Sequence, residues 1–147
     1  MQLKPDCVRD TLLYLEEQLT INFQQNIFTP INKKELIEGM RLLHTHYDAE
    51  DIWYTIYNLI QAGFIEGRFS NAGNHKMSVC EIENITWRGH QFLDSVRPDT
   101  IWEAVKIKAS QIGGMSISGL SLISSSIIES IAGNTDFIQS IVEKIKY

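Results

Sequence analysis

The chain has 147 residues, 44% hydrophobic and 21% charged, which is enough to bury one core with an appendage and too apolar for a disordered segment. Its net charge of −5 and pI near 5.3 exclude a protein that coats nucleic acid through many lysine and arginine contacts, so any such binding has to be local. Residues 1–98 hold 9 Lys+Arg against 13 Asp+Glu, which places most of the acidity in the N-terminal part.

In chain order, Asp6 after Pro5 is expected to cap a first helix running through Leu19. Its apolar face is Cys7, Val8, Leu12, Leu15 and Leu19, and Glu16 and Glu17 face water. Residues Ile21 to Thr29, β-branched and aromatic and closed by Pro30, predict one short strand or extended connection. Asn32 with Glu35 reads as a capping box for a helix from Lys33 to Leu43, with Leu36, Ile37, Met40 and Leu43 buried.

His44 to Tyr47 form a turn and Asp48 caps a third helix, whose Ile52, Ile56, Leu59 and Ile60 recur at helical spacing. Gly63 supplies the left-handed residue that stops it. Phe64 to Ser70 and Lys76 to Ile85 predict a hairpin, with the turn formers Ser70 to His75 at its tip. Thr86 then caps a fourth helix that presents Trp87, Phe92, Leu93 and Val96 to the core, although Gly89 weakens it.

Beyond residue 98 the character changes. Thr100 to Glu103 reads as a capping box opening a helix to about Gln111, stopped by Gly113 and Gly114. The 20 residues from Ala109 to Ile128 carry no charge and would reach across a bilayer, but seven serines and three glycines point instead to a small-residue helical segment packed on another surface. Asp136 to Tyr147 reads as a docking helix, with Phe137, Ile138, Ile141, Val142 and Ile145 on one face.

The expected fold is therefore α+β, mostly helical: a winged helix-turn-helix of residues 1–98 extended by a C-terminal helical region, 99–147, for self-association or docking. The phrases Leu3-Lys-Pro-Asp-Cys-Val-Arg-Asp10, Leu13-Tyr-Leu-Glu-Glu17, Ala62-Gly-Phe-Ile65, Ile85-Thr-Trp-Arg-Gly-His-Gln-Phe-Leu-Asp94 and Asp99-Thr-Ile-Trp102 follow one another in order. Over residues 3–102 the chain thus resembles a family of small bacterial and prophage proteins of unknown function. That resemblance implies a winged-helix fold and a mobile-element setting, and assigns no chemistry.

A reading helix needs side chains that reach base edges. Off the buried face of the third helix stand Trp53, Tyr54, Tyr57, Asn58 and Gln61, of which Asn58 or Gln61 suits adenine and Tyr57 a phosphate or a thymine methyl. Lys33, Lys34, Arg68, His75 and Lys76 are the candidate phosphate anchors. The competing reading makes the aromatic face a protein interface, since rings with few cations are what interface cores show. Trp53, Tyr54, Leu120, Ile127, Ile131, Phe137 and Ile141 are its candidate residues.

Other polar groups carry less. His44, His46, Asp48 and Asp51 lack the spacing of a zinc site, and His90 with Asp94 is read as a structural couple. No nucleophile elbow or phosphate-binding glycine loop is present in the sequence. Cys7 and Cys80 read as reduced core thiols, and the N-terminus has no secretory h-region. The expectation is a non-catalytic regulator in the bacterial cytoplasm, with no cofactor, metal or small-molecule substrate. It would bind DNA as a homodimer joined through the C-terminal helices. The alternatives are a factor that grips a host or phage protein and, third, a membrane-active effector acting through the tail.

Overall fold

The computed structural model describes residues 2–71, 77–113 and 116–133. The chain divides into two compact units, Met1–Leu93 and Asp94–Tyr147, with the division falling inside a helix. The described residues form an α+β, mostly helical fold, and its strands pair antiparallel in two small sheets.

The first unit opens with α1 (Pro5–Gln18), which buries Cys7, Val8, Thr11, Leu12 and Leu15. The cap position is Lys4, not Asp6. Pro5 occupies the first helical turn, where its missing N–H costs nothing, and Asp6 sits one residue inside, next to the unpaired amides.

The expected single strand over residues 21–29 is instead a hairpin of β1 (Thr20–Asn22) and β2 (Ile27–Thr29), with Ile21 opposite Phe28. Two asparagines make the turn. Asn22 Oδ1 accepts the Gln25 N–H at 3.1 Å, and Asn26 takes the left-handed conformation at φ 54°. Every residue from Thr20 to Pro30 is exposed.

The two-residue β3 (Ile31–Asn32) leads directly into α2 (Lys33–Leu43). Asn32 Oδ1 accepts the Glu35 N–H at 2.8 Å and its amide donates to Glu35 Oε1 at 2.8 Å, so the cap and its reciprocal contact are both made. Leu36 and Met40 are buried, but Leu43 is 65% exposed. It is the last residue of the helix, and there it borders an open cleft with Leu13 and Tyr14. Tyr14 crosses α2 at Gly39, where a Cβ would collide with its phenol.

The third helix, α3 (Ala49–Gln61), buries Ile52, Thr55, Ile56 and Leu59. Each fully buried aliphatic side chain contributes about 1.5–3 kcal/mol. Ile60 is half-buried and packs over Gly67, whose missing side chain leaves room for it. Gly63, at φ 75°, closes the helix: the Gly63 N–H reaches Ile60 O at 3.0 Å and the Phe64 N–H reaches Leu59 O at 2.9 Å.

β4 (Ile65–Asn71) and β5 (Met77–Ile85) follow, and β5 lies between β4 and β3, so the sheet order is β3-β5-β4. Ile31 faces Ile82 across one side, and Arg68 faces Glu81 across the other. The centre of the expected tip, residues 72–76, lies outside the described residues.

The helix α4 (Trp87–Val96) starts as read: Thr86 Oγ1 accepts the Gly89 N–H at 3.1 Å. Phe92, Leu93 and Val96 are buried, whereas Trp87 is 77% exposed. The inward residue of the first turn is Gly89, and two helical steps, about 200°, turn Trp87 to the opposite side. Gly89 is there because a Cβ would stand 2.0 Å from the Phe64 carbonyl oxygen.

In the second unit, α5 (Asp99–Ile112) packs on α6 (Ile117–Ala132). The expected Thr100 cap is corrected. Pro98 holds the cap position and Asp99 begins the helix, its carboxylate beside the first amides. Gly113 ends α5 at φ 71°, and Ser116 caps α6 by accepting the Gly119 N–H at 3.0 Å. The uncharged run is thus divided between two helices, and no helix of the described residues is long and apolar enough to cross a membrane. Ser124 is buried in α6; it receives the Ser95 hydroxyl at 3.1 Å and donates to Ser121 O at 2.9 Å. The expected docking helix, Asp136 to Tyr147, lies outside the described residues.

Candidate nucleic-acid interface

The first turn of α3 concentrates acid where a DNA-reading helix would carry cations, and the structure supplies the reason. Asp51 Oδ2 accepts the Asp48 N–H at 3.0 Å and pairs with Lys4 Nζ at 2.8 Å. The Lys4 hydrogen bond, followed by that from Asp48, holds the Asp51 carboxyl below the usual carboxylate range. Asp51 is therefore a cap and a cross-helix tie, with its charge matched locally.

On the outer side of α3, Trp53, Tyr54, Tyr57 and Asn58 are half-buried and Gln61 is exposed. Lys33 from α2 lies with Nζ 4.4 Å from the centre of the Trp53 ring, a cation–π contact that joins the two helices' outer surfaces. Asn58 spends its amide group on its own helix, donating to Tyr54 O at 2.7 Å, so a two-point contact with adenine requires that bond to break. Gln61 is the last residue of α3 and is exposed, two positions before Gly63.

The phosphate candidates divide. Lys34 is exposed at the start of α2, and Arg68 on β4 is 80% exposed while its Nε lies 3.0 Å from Glu83 Oε1. His75 and Lys76 lie outside the described residues. Of the partner-interface candidates, Leu120 is fully buried, so it is a core residue of the folded chain and offers no surface to a partner. Ile127 and Ile131 are half-buried along an open groove of α5 and α6, and Phe137 and Ile141 lie outside the described residues.

The turn before α3 is also a packing device. Tyr47 is buried and its hydroxyl donates to Asp10 Oδ2 at 2.7 Å, with His44 Nδ1 3.7 Å from the same oxygen. Burial, then the Asp10 hydrogen bond, pushes the Tyr47 phenol far above its ordinary range. Cys7 is a buried thiol, raised by desolvation, that approaches Asp51 O at 3.8 Å; the Cys80 side chain lies outside the described residues. Among the described residues no group of three or more His, Cys, Asp or Glu side chains is placed to hold a metal ion.

The family model described as "Hypothetical protein (DUF2513)" matches residues 2–116. The chain belongs to this family. An uncharacterized protein of Haemophilus influenzae is 30% identical over 86 residues, which covers 57% of this chain and 70% of the relative. No solved structure matches. The family match takes in α1 to α5 and stops at the cap of α6, so every part of the candidate face falls inside the DUF2513 region.

Two features of that region escaped the sequence reading. Lys4 stands 47 residues from the Asp51 it pairs with, and nothing local announces the pair. The exposed ribbon of β1 and β2 presents Ile21, Phe23, Ile27 and Phe28 at 62%, 87%, 53% and 42% exposure. The signal available for it was the absence of any charge from Leu19 to Asn32 in so apolar a stretch. At its foot is a cleft of about 290 Å³ bordered by Leu15, Leu19, Phe28, Ile85 and His90.

Proposed function

We propose that the chain is a non-catalytic regulatory protein whose first unit is a winged helix-turn-helix that binds DNA through α3 and the β4–β5 wing. One observation carries the reading. The short strand β3 before α2 pairs with the second strand of the hairpin that follows α3, which gives the order β3-β5-β4. In a winged helix this pairing ties the wing to the base of the helix pair and leaves the outer side of α3 open. Tyr57 and Gln61 would meet base edges, and Lys34 and Arg68 would meet phosphates. With few cations available, the binding has a shallow salt dependence. Gel shifts at low salt over phage and host DNA test this. Binding by the natural chain that falls by roughly tenfold in Lys34→Glu/Arg68→Glu supports it, and equal retention by both proteins removes DNA as the partner.

A second reading is supported by the β1–β2 ribbon: the same fold could grip a host or phage protein. Four large apolar side chains on an exposed two-stranded hairpin make a surface of the kind that marks protein contacts. Capture of a defined lysate protein that is lost in Phe23→Asp but kept in Lys34→Glu/Arg68→Glu selects this reading over the first.

A further inference from the structure

The second unit carries an apolar groove that the described residues leave open. It runs between α5 and α6, measures about 720 Å³ and is bordered by Ile107, Ile112, Leu122, Ile127 and Ile131. Ile107, Ile112 and Leu122 are 59%, 63% and 72% exposed. A pair of helices has only one shared seam, so the apolar stripes that flank it need a third element.

We infer that residues 136–147 of the same chain fill this groove as a third helix, folded back in cis. The inference goes beyond the DNA-binding reading and does not depend on it. The tail has the required pattern: Phe137, Ile138, Ile141, Val142 and Ile145 recur as one helical stripe, with Glu143, Lys144 and Lys146 on the other side. The connection has the required length. Helix α6 ends at Ala132 with Gly133 as its cap, and only Asn134 and Thr135 intervene before Asp136. Loops this short join antiparallel neighbours in helical bundles.

The dimensions agree as well. Phe137 to Ile145 would span about 12 Å as a helix and Leu122 to Ile131 spans about 13.5 Å, so an apolar stripe of this length returning along α6 matches the groove. Chain exit is at the groove itself, two residues beyond Ile131. Ser126 and Ser130, also on the groove, are small enough to let another backbone approach. The cis arrangement replaces the tail-to-tail pairing of two chains expected from sequence, because the tail's apolar side is used within its own chain.

The test is thiol labelling of the full chain carrying Ser126→Cys and Cys80→Ser, in which Cys7 is buried as long as the chain is folded and its label is counted separately in the unfolded reference. Cis docking protects the Ser126→Cys thiol by roughly tenfold or more relative to the unfolded chain, with the same protection across about a hundredfold range of protein concentration. Phe137→Asp/Ile141→Asp in the full chain removes the protection. Ser124→Cys, buried in α6 itself, reports whether the helix pair stays folded in that variant. An unprotected Ser126→Cys thiol in the otherwise natural chain overturns the inference whatever the tail variant does. Protection that grows with concentration also overturns it, since the tail would then be supplied by a second chain.

Discussion

Lys4 Nζ stands 2.8 Å from Asp51 Oδ2, joining the entry of α1 to the first turn of α3, and the same oxygen accepts the Asp48 N–H at 3.0 Å. Asp51→Asn keeps an acceptor for the Asp48 N–H but removes the charge beside the first amides of α3, so we expect a loss of about 0.3–1 kcal/mol, the usual worth of an acidic group at a helix N-terminus. Because the folded carboxyl titrates below its unfolded value of roughly 3.9, its contribution is complete above that pH and is lost as pH falls through the folded value. Urea midpoints of the natural chain and Asp51→Asn should therefore differ by a constant amount from neutrality down to about pH 4 and converge below it. A gap that persists undiminished in stronger acid would count against the ion pair.

Gly89→Ala sets a methyl against backbone in the first unit. Its Cβ would meet the Phe64 carbonyl oxygen at 2.0 Å and Ile85 Cγ2 at 2.8 Å, and the carbonyl is backbone that cannot swing aside. We expect at least the usual overpacking cost of about 1–3 kcal/mol, visible in thermal or urea unfolding. Substitution without effect would mean that α4 does not start against Phe64.

Gly63→Ala separates conformation from space. Nothing lies within 4 Å of a Cβ at Gly63, but φ is 75°, so only the left-handed strain of about 1–2 kcal/mol is expected. Gly133→Ala meets only ordinary contacts near 3.7 Å at a right-handed φ of −80° and should leave stability unchanged or raise it.

Tyr47→Phe removes the hydroxyl that holds Asp10 across the turn before α3. The loss of this buried bond to a carboxylate should cost about 1–3 kcal/mol. Alkaline difference spectra should show the natural chain lacking one phenol transition until it unfolds, because burial keeps Tyr47 protonated well above the ordinary tyrosine range. The folded pKa lies above the unfolded one, so that stabilisation is full below the unfolded value and fades as pH rises past it.

Elements whose signal is local were legible in the sequence. The Ile52, Ile56, Leu59 stripe, the Gly63 stop, the Asn32 and Thr86 caps and the two strands after α3 follow from neighbours a few residues apart. The β1–β2 turn was not, since Phe23-Gln-Gln-Asn26 lacks glycine and depends on a side-chain bond from Asn22 and a left-handed asparagine. The apolar pattern of their helices points Trp87 and Leu43 inward, yet both are exposed. One is rotated away from the buried face by Gly89, and the other sits at a helix end bordering an open cleft. On the candidate face, the residues of α3 could be named from periodicity. The neutralising partners Lys4 and Glu83 and the internal bond of Asn58 depend on the folded arrangement.

The Thr86 hydroxyl also donates to Gly63 O at 2.6 Å, and the Thr86 N–H donates to Phe64 O at 3.0 Å. Both ends of the hairpin are thus fastened at one knot, where α3 stops and α4 begins. Residues inserted or deleted between Asn71 and Met77, the facing ends of β4 and β5, would therefore leave both helices where they are.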